Sequence, residues 1–180
     1  MSLIEIYPNS FEFDYINGEK TEYRKQIEEA IEFFDLEDQV NCTIPGKPFA
    51  KQRPRASRRG RFTTVYTPKE TVNYENLVKY SYFEENGDLK LEGPLEAEII
   101  ATFPIPQSAT KKQYKKMASG EEPHTKKPDC DNIAKICLDA LNNIAFNDDS
   151  QITDLLIKKR YGENPNVKIS IRRKNITEGD

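Results

Sequence analysis

KKPDCDNIAKICLDALNNIAFNDDSQITD, residues 126–154, decides how the chain is read. From about 131 to 143, Ile133, Ile136, Cys137, Ala140, Leu141 and then Ile144 recur at three- and four-residue steps, the spacing of a helix with one buried stripe. A strand is expected on either side of it. Upstream, Leu95, Ala97, Ile99, Ala101 and Phe103 alternate with Glu96, Glu98 and Thr102 until Pro104 and Pro106 close the strand. Downstream, residues 152–161 read as a strand. Val167, Ile169 and Ile171 alternate with Lys168, Ser170 and Arg172 as another, and the two pair most easily as a hairpin through Gly162 to Pro165.

Further upstream, Val40, Cys42 and Ile44 alternate as a short strand stopped by Pro45-Gly46. Thr67 or Pro68 can open a helix over about 69–86, with Val72, Leu77, Val78 and Tyr82 among its apolar positions and Asn86-Gly87 at its end. The order β-α-β-α-β-β predicts an α+β fold, a mixed sheet with helices on one face. Residues 1–39 read as an acidic helical extension, with Tyr23, Ile27, Ala30, Ile31 and Phe34 at helical spacing, ahead of a domain over 40–176.

A chain of 180 residues accommodates one ordinary domain and an appendage. No apolar run reaches the roughly 18 residues of a membrane span, and the start MSLIEIYPNS lacks the basic and apolar regions of a signal peptide, so a cytoplasmic protein with no membrane partner is expected. Three cysteines, none in a CxxC pair, and one histidine argue against a Cys/His zinc site and a disulfide framework.

The net charge of −3 conceals an uneven distribution. Residues 1–40 hold 11 acidic against 3 basic side chains, whereas residues 41–180 hold 24 basic against 19 acidic. Within the second part, KPFAKQRPRASRRGRFTTVYTPK (47–69) has eight Lys or Arg and no acid, interleaved with Phe49, Phe62 and Tyr66. Its prolines and Gly60 mark it as loop, and a polyanion would bind there, although a basic loop can also be mere solvated surface. A lysine-rich loop over 108–127 adds six lysines against two glutamates.

In the quoted stretch, Pro128 favours an extended approach to the helix, which would put Asp129 and Asp131 on one side and Cys130 on the other. Two carboxylates with no histidine suit a hard divalent cation, Mg²⁺ or Mn²⁺. Asp131 also sits where an N-cap belongs, and a cap alone would account for it; Lys135 and Asp139 could form an exposed ion-pair ladder. Residues 144–149 can span at most about 20 Å, just enough to return Asp149 to the start of the helix, and three acids gathered there would repel without a cation.

The PDxDN-x-x-K helix start, the L-D-A-L body and the following DDxQ resemble the RusA family of Holliday-junction resolvases, and KPFAKQRPR…YTPK is similar to the start of many phage and prophage members. The resemblance spans roughly 41–173. It implies metal-binding acids at Asp129, Asp131 and Asp149 and an active-site lysine at Lys135; Asp148 and Gln151 match the motif without as clear a role. Lys135, one turn in from Asp131, could steady charge developing on a phosphate, or only pair with Asp131 or Asp139.

The function expected is Mg²⁺-dependent nicking of two symmetric strands of a four-way DNA junction, in recombination and repair, by a homodimer with two-fold symmetry. Lys51, Arg53, Arg55, Arg58, Arg59, Arg61, Lys126 and Lys127 are the expected DNA contacts. The alternative is a catalytically idle module that binds branched DNA by shape.

Overall fold

The computed structural model describes residues 15–16, 19–20, 38–59 and 62–174, and the chain divides into two compact units, 1–39 and 40–180. In the first, β1 (Tyr15–Ile16) and β2 (Glu19–Lys20) pair antiparallel, with Tyr15 opposite Lys20. The amphipathic helix expected around Tyr23 to Phe34 lies outside the described residues.

The second unit is built on a four-stranded sheet in the order β3-β8-β6-β7, formed by β3 (Gln39–Pro45), β6 (Leu95–Pro104), β7 (Ile152–Gly162) and β8 (Asn166–Arg173). The alternating residues predicted for three of these strands are the buried ones: Val40, Cys42 and Ile44; Leu95, Ala97, Ile99, Ala101 and Phe103; Val167, Ile169 and Ile171. They share one core with α1 (Lys69–Asn86) and α3 (Cys130–Leu141), which pack on each other. The fold is therefore α+β, with a mixed sheet and helices α1, α2 (Lys111–Ala118) and α3. Helix α1 starts after Pro68 and stops at Gly87, whose φ of 59° is costly for a residue with a Cβ and whose N–H bonds the Phe83 carbonyl.

Three expectations are corrected. β7 and β8 do not form a hairpin: β6 lies between them, antiparallel to β8 with Ile99 opposite Ile169, and parallel to β7 with Ile99 opposite Ile157. The physical reason is burial. β7 buries little of its length, exposing Leu155 and Leu156, and takes an edge, which leaves β8 between β6 and β3, three strands that each bury an alternating face. A helical crossover between β6 and β7 also suits parallel pairing, and the short link after Gly162 need only step about 10 Å across one strand.

The basic segment is more than loop, since β4 (Arg55–Arg59) and β5 (Phe62–Tyr66) pair antiparallel. The β-branched and aromatic run FTTVY supplies the strand preference that the surrounding prolines and glycine masked. The lysine-rich segment contains α2, opened by a capping box between Thr110 and Gln113 and anchored by buried Met117.

Candidate active site and nucleic-acid-binding surface

The start of α3 is held from the sheet. The ammonium of Lys159, on β7, donates to the carbonyls of Lys126 and Pro128 at 2.8 Å each, and the Lys127–Pro128 peptide is cis. The cap is Asp129, at φ −76° and ψ 154°, not Asp131; the helix therefore begins two residues earlier than a cap at Asp131 required, and Asp131 lies in its first turn rather than in an extended approach. Asp129 makes no side-chain capping bond, although a carboxylate at this position ordinarily does. Asp131 accepts a long bond from the Asn132 side-chain amide, 3.3 Å. Both are exposed at the N-terminal end of the helix.

On the face of α3 toward α1, Lys51 joins the basic segment to both helices. Its backbone N–H donates to the Asn132 carbonyl at 3.0 Å, and its ammonium lies 2.5 Å from Glu75 and 2.8 Å from Asp139. Burial would lower the Lys51 pKa, but the hydrogen bonds and charges of Asp139 and Glu75 outweigh it and hold it above its ordinary value. Lys51 is thus committed to two internal carboxylates rather than presented to a phosphate. Lys135 reaches the other oxygen of Asp139 at 3.4 Å and stays largely exposed, so the ladder expected for this pair is present and leaves its charge accessible. Glu75 was not singled out from the sequence; it meets Lys51 across 24 residues, a long-range contact with no local periodicity to announce it.

The DDxQ motif builds a turn. Asp148 accepts from the Ser150 N–H, and the Gln151 carbonyl oxygen accepts from the Asn147 and Asp148 N–H groups while its amide donates to the Gly93 carbonyl. The short 3₁₀ turn Asp149–Gln151 is thereby fixed beside the start of β6, with Asp149 half-buried. The Ser150 contact holds the Asp148 carboxyl below its ordinary pKa.

This turn is not at the start of α3. Residues 142–146 coil tightly at the end of the helix, with Ile144 and Ala145 donating to the Leu141 carbonyl, and Leu91 donating to Ala145. Asp149 therefore enters β7 at the end where Leu95 faces Ile152, whereas Lys159, which holds the approach to Asp129, is near the other end of that strand. Twelve residues of helix and seven of strand give two rulers for the separation, about 18 Å and about 23 Å. Among the described residues, no three carboxylate, thiol or imidazole groups gather closely enough to hold an ion. Asp129 and Asp131 stand at one end of α3, and Asp149 at the other.

Of the expected DNA contacts, Arg53 and Arg55 are exposed, Arg58 and Arg59 lie in β4, and Arg61 lies outside the described residues. Lys126 and Lys127 are exposed beside Asp129. In the hairpin, Arg55 is opposite Tyr66 and Arg59 opposite Phe62, and Phe62, Val65 and Tyr66 are all exposed. Two of the three thiols, Cys42 and Cys137, are buried, which pushes each up to about 12.

Residues 45–172 match the family described as endodeoxyribonuclease RusA. The uncharacterized protein YqaN of Bacillus subtilis (strain 168) is 33% identical over 137 residues, which cover 75% of this chain and 96% of its own length.

Proposed function

The chain belongs to the RusA endodeoxyribonuclease family, and from that premise we propose that it is a divalent-cation-dependent resolvase that places paired, symmetric nicks in four-way DNA junctions as a homodimer. The observation that carries the reading is the pair Asp129 and Asp131 at the start of α3, two exposed carboxylates with no cap bond between them to explain both. Hard oxygen donors of this kind fit Mg²⁺ or Mn²⁺. A cation held there supplies a lowered water pKa and relief of charge on the leaving oxygen. Lys135, one turn along the same helix, keeps an exposed ammonium for a phosphate oxygen, and Lys126 and Lys127 flank the approach.

The third acid argues for two copies. β7 is an edge of the sheet and reads ITDLLIKKRYG: acidic early, apolar in the middle, basic late. Such a strand is complementary to itself when antiparallel. Pairing about a two-fold at Leu156 would set Asp154 against Lys158 of the partner subunit and lay Ile152 against the partner's Arg160. That arrangement carries Asp149 of one copy toward the helix start of the other, so that each site draws Asp129 and Asp131 from one chain and Asp149 from its mate. The exposed Leu155 and Leu156, 45% and 51% accessible in the single chain, are then covered.

The test is to incubate the purified protein with a mobile four-way junction with and without Mg²⁺. Symmetric, ligatable nicks that require the cation are expected. Junction binding without any nick would leave a shape-reading DNA-binding module instead.

A further inference from the structure

The β4–β5 hairpin carries chemistry that phosphate contact does not use. In an antiparallel pair, directly opposed residues share a face and alternate residues return to it. Phe62, Thr64 and Tyr66 therefore lie on one face of β5, opposite Arg59, Ser57 and Arg55 in the register. Every described side chain of β5 is exposed, Phe62 at 80% and Tyr66 at 47%. Among the described residues, the sheet formed by these two strands has no third strand. A phenylalanine ring makes no hydrogen bond to a phosphate, and leaving one in water gains nothing, so a basic ribbon made only for backbone contact has no use for it.

We infer that this face is a stacking platform for nucleobases at the centre of the branched substrate, with Phe62 and Tyr66 meeting base rings while the arginines of the same segment hold the adjoining phosphates. The charge of the segment selects a polyanion, since residues 47–69 contain eight basic side chains and no acid. The aromatics then select among polyanions. In closed duplex both faces of each base are occupied by neighbours, whereas at a branch point the stack ends and ring faces become available. The combination of aromatic and arginine side chains on one strand pair is that of surfaces which bind unstacked bases, where stacking tolerates any sequence. The inference rests on the resolvase reading for its substrate, but it concerns binding and not cleavage.

The full-length protein is mixed, with divalent cation omitted so that nothing is cut, with a four-way junction carrying 2-aminopurine either at the branch point or deep in one arm. Wild type is expected to change the emission at the branch point and leave the arm signal alone. Phe62→Ala is expected to abolish most of that change and weaken junction binding about tenfold, with linear duplex affinity altered less than twofold; Phe62→Trp should retain the signal. Arg55→Ala should weaken binding to both DNAs and flatten the salt dependence while keeping the branch-point change at saturation. A Phe62→Ala variant with unaltered branch-point emission and unaltered preference for junctions over duplex overturns the inference. Because nicking is scored separately with Mg²⁺ present, a protein that binds in this way but never cuts would refute the nuclease reading and leave the stacking platform standing.

Discussion

Lys159 holds the carbonyl of Pro128 at 2.8 Å, so a residue on the sheet edge sets where Asp129 stands. The same ammonium takes the Lys126 carbonyl, and together the two bonds tie down the segment through which the chain enters α3. Replacing Lys159 with methionine keeps most of the packing stem and removes the donors. The expected result is a cleavage rate lower by about tenfold to a hundredfold with junction affinity within a few-fold of wild type, because small displacements of reacting groups are costly in rate. An equal fall in affinity and rate would instead make Lys159 a phosphate contact.

A composite site makes a distinctive prediction for mixtures. Asp131→Asn and Asp149→Asn are each expected to abolish cleavage, at least about a thousandfold or roughly 4 kcal/mol of transition-state stabilisation. In a dimer that shares acids across its two-fold axis, co-refolding the two dead variants gives heterodimers in which one site has both lesions and the other has none. Such a mixture should recover nicking of a single strand without its symmetric partner. If the acids of each site came from one chain, every site would carry a lesion and the mixture would stay inactive.

The contrast between what the sequence announced and what it did not follows the range of the interactions. The buried faces of β3, β6 and β8 and the buried stripe of α3 were legible because burial imposes a local period of two or of three to four residues. The placement of β7 was not, because neighbours in a sheet are chosen by the whole core; only the adjacent Leu155 and Leu156, which break alternation, hinted at an edge. At the site, the cap stands two residues earlier than read, at Asp129, and Asp131 lies inside the first turn, so the extended geometry that put the two acids on one side is replaced by a helical one. The return of Asp149 was argued from the length the chain could reach, and length permits a path without choosing it. The bonds from Gln151 to Asn147, Asp148 and Gly93 choose the other end of the helix.

Gly162 closes the parallel pair of β6 and β7, opposite Pro104, and a Cβ there would lie 2.5 Å from the Thr102 methyl carbon. Thr102 is buried and its hydroxyl accepts from the Arg160 guanidinium at 3.1 Å, so it cannot turn aside without losing that bond. Gly162→Ala is expected to cost about 1–3 kcal/mol, a fall in melting temperature of several degrees. Adding Thr102→Ser, which removes the offending methyl and keeps the hydroxyl, should restore most of the loss. Thermal unfolding of the two single variants and the double variant measures the coupling directly.

His124 gives the folded state a pH dependence of predictable sign. Its ring stacks on Phe103 at 3.9 Å between centroids, meets Tyr161 at 4.8 Å, and has a buried Nδ1 with no hydrogen-bond partner among the described residues. Burial, and then the charge of Lys159, hold its pKa below the ordinary 6.5; an interaction with its own backbone opposes them without prevailing, and Lys126 and Lys47 lower it a little further. The unfolded chain therefore takes up a proton at a pH where the folded chain does not. Stability is full above about pH 6.5 and is lost as the pH falls below it. The carboxyls of Asp148 and Asp154 lie below their ordinary values, so their contribution persists above about pH 4 and falls in a lower window. Urea unfolding at pH 7.5 and pH 5.5 separates the two ranges. Wild type should be measurably less stable at pH 5.5, and His124→Phe, which keeps a ring between Phe103 and Tyr161 and cannot titrate, should show a smaller difference. An unchanged pH dependence in that variant would assign the effect to groups other than the buried imidazole.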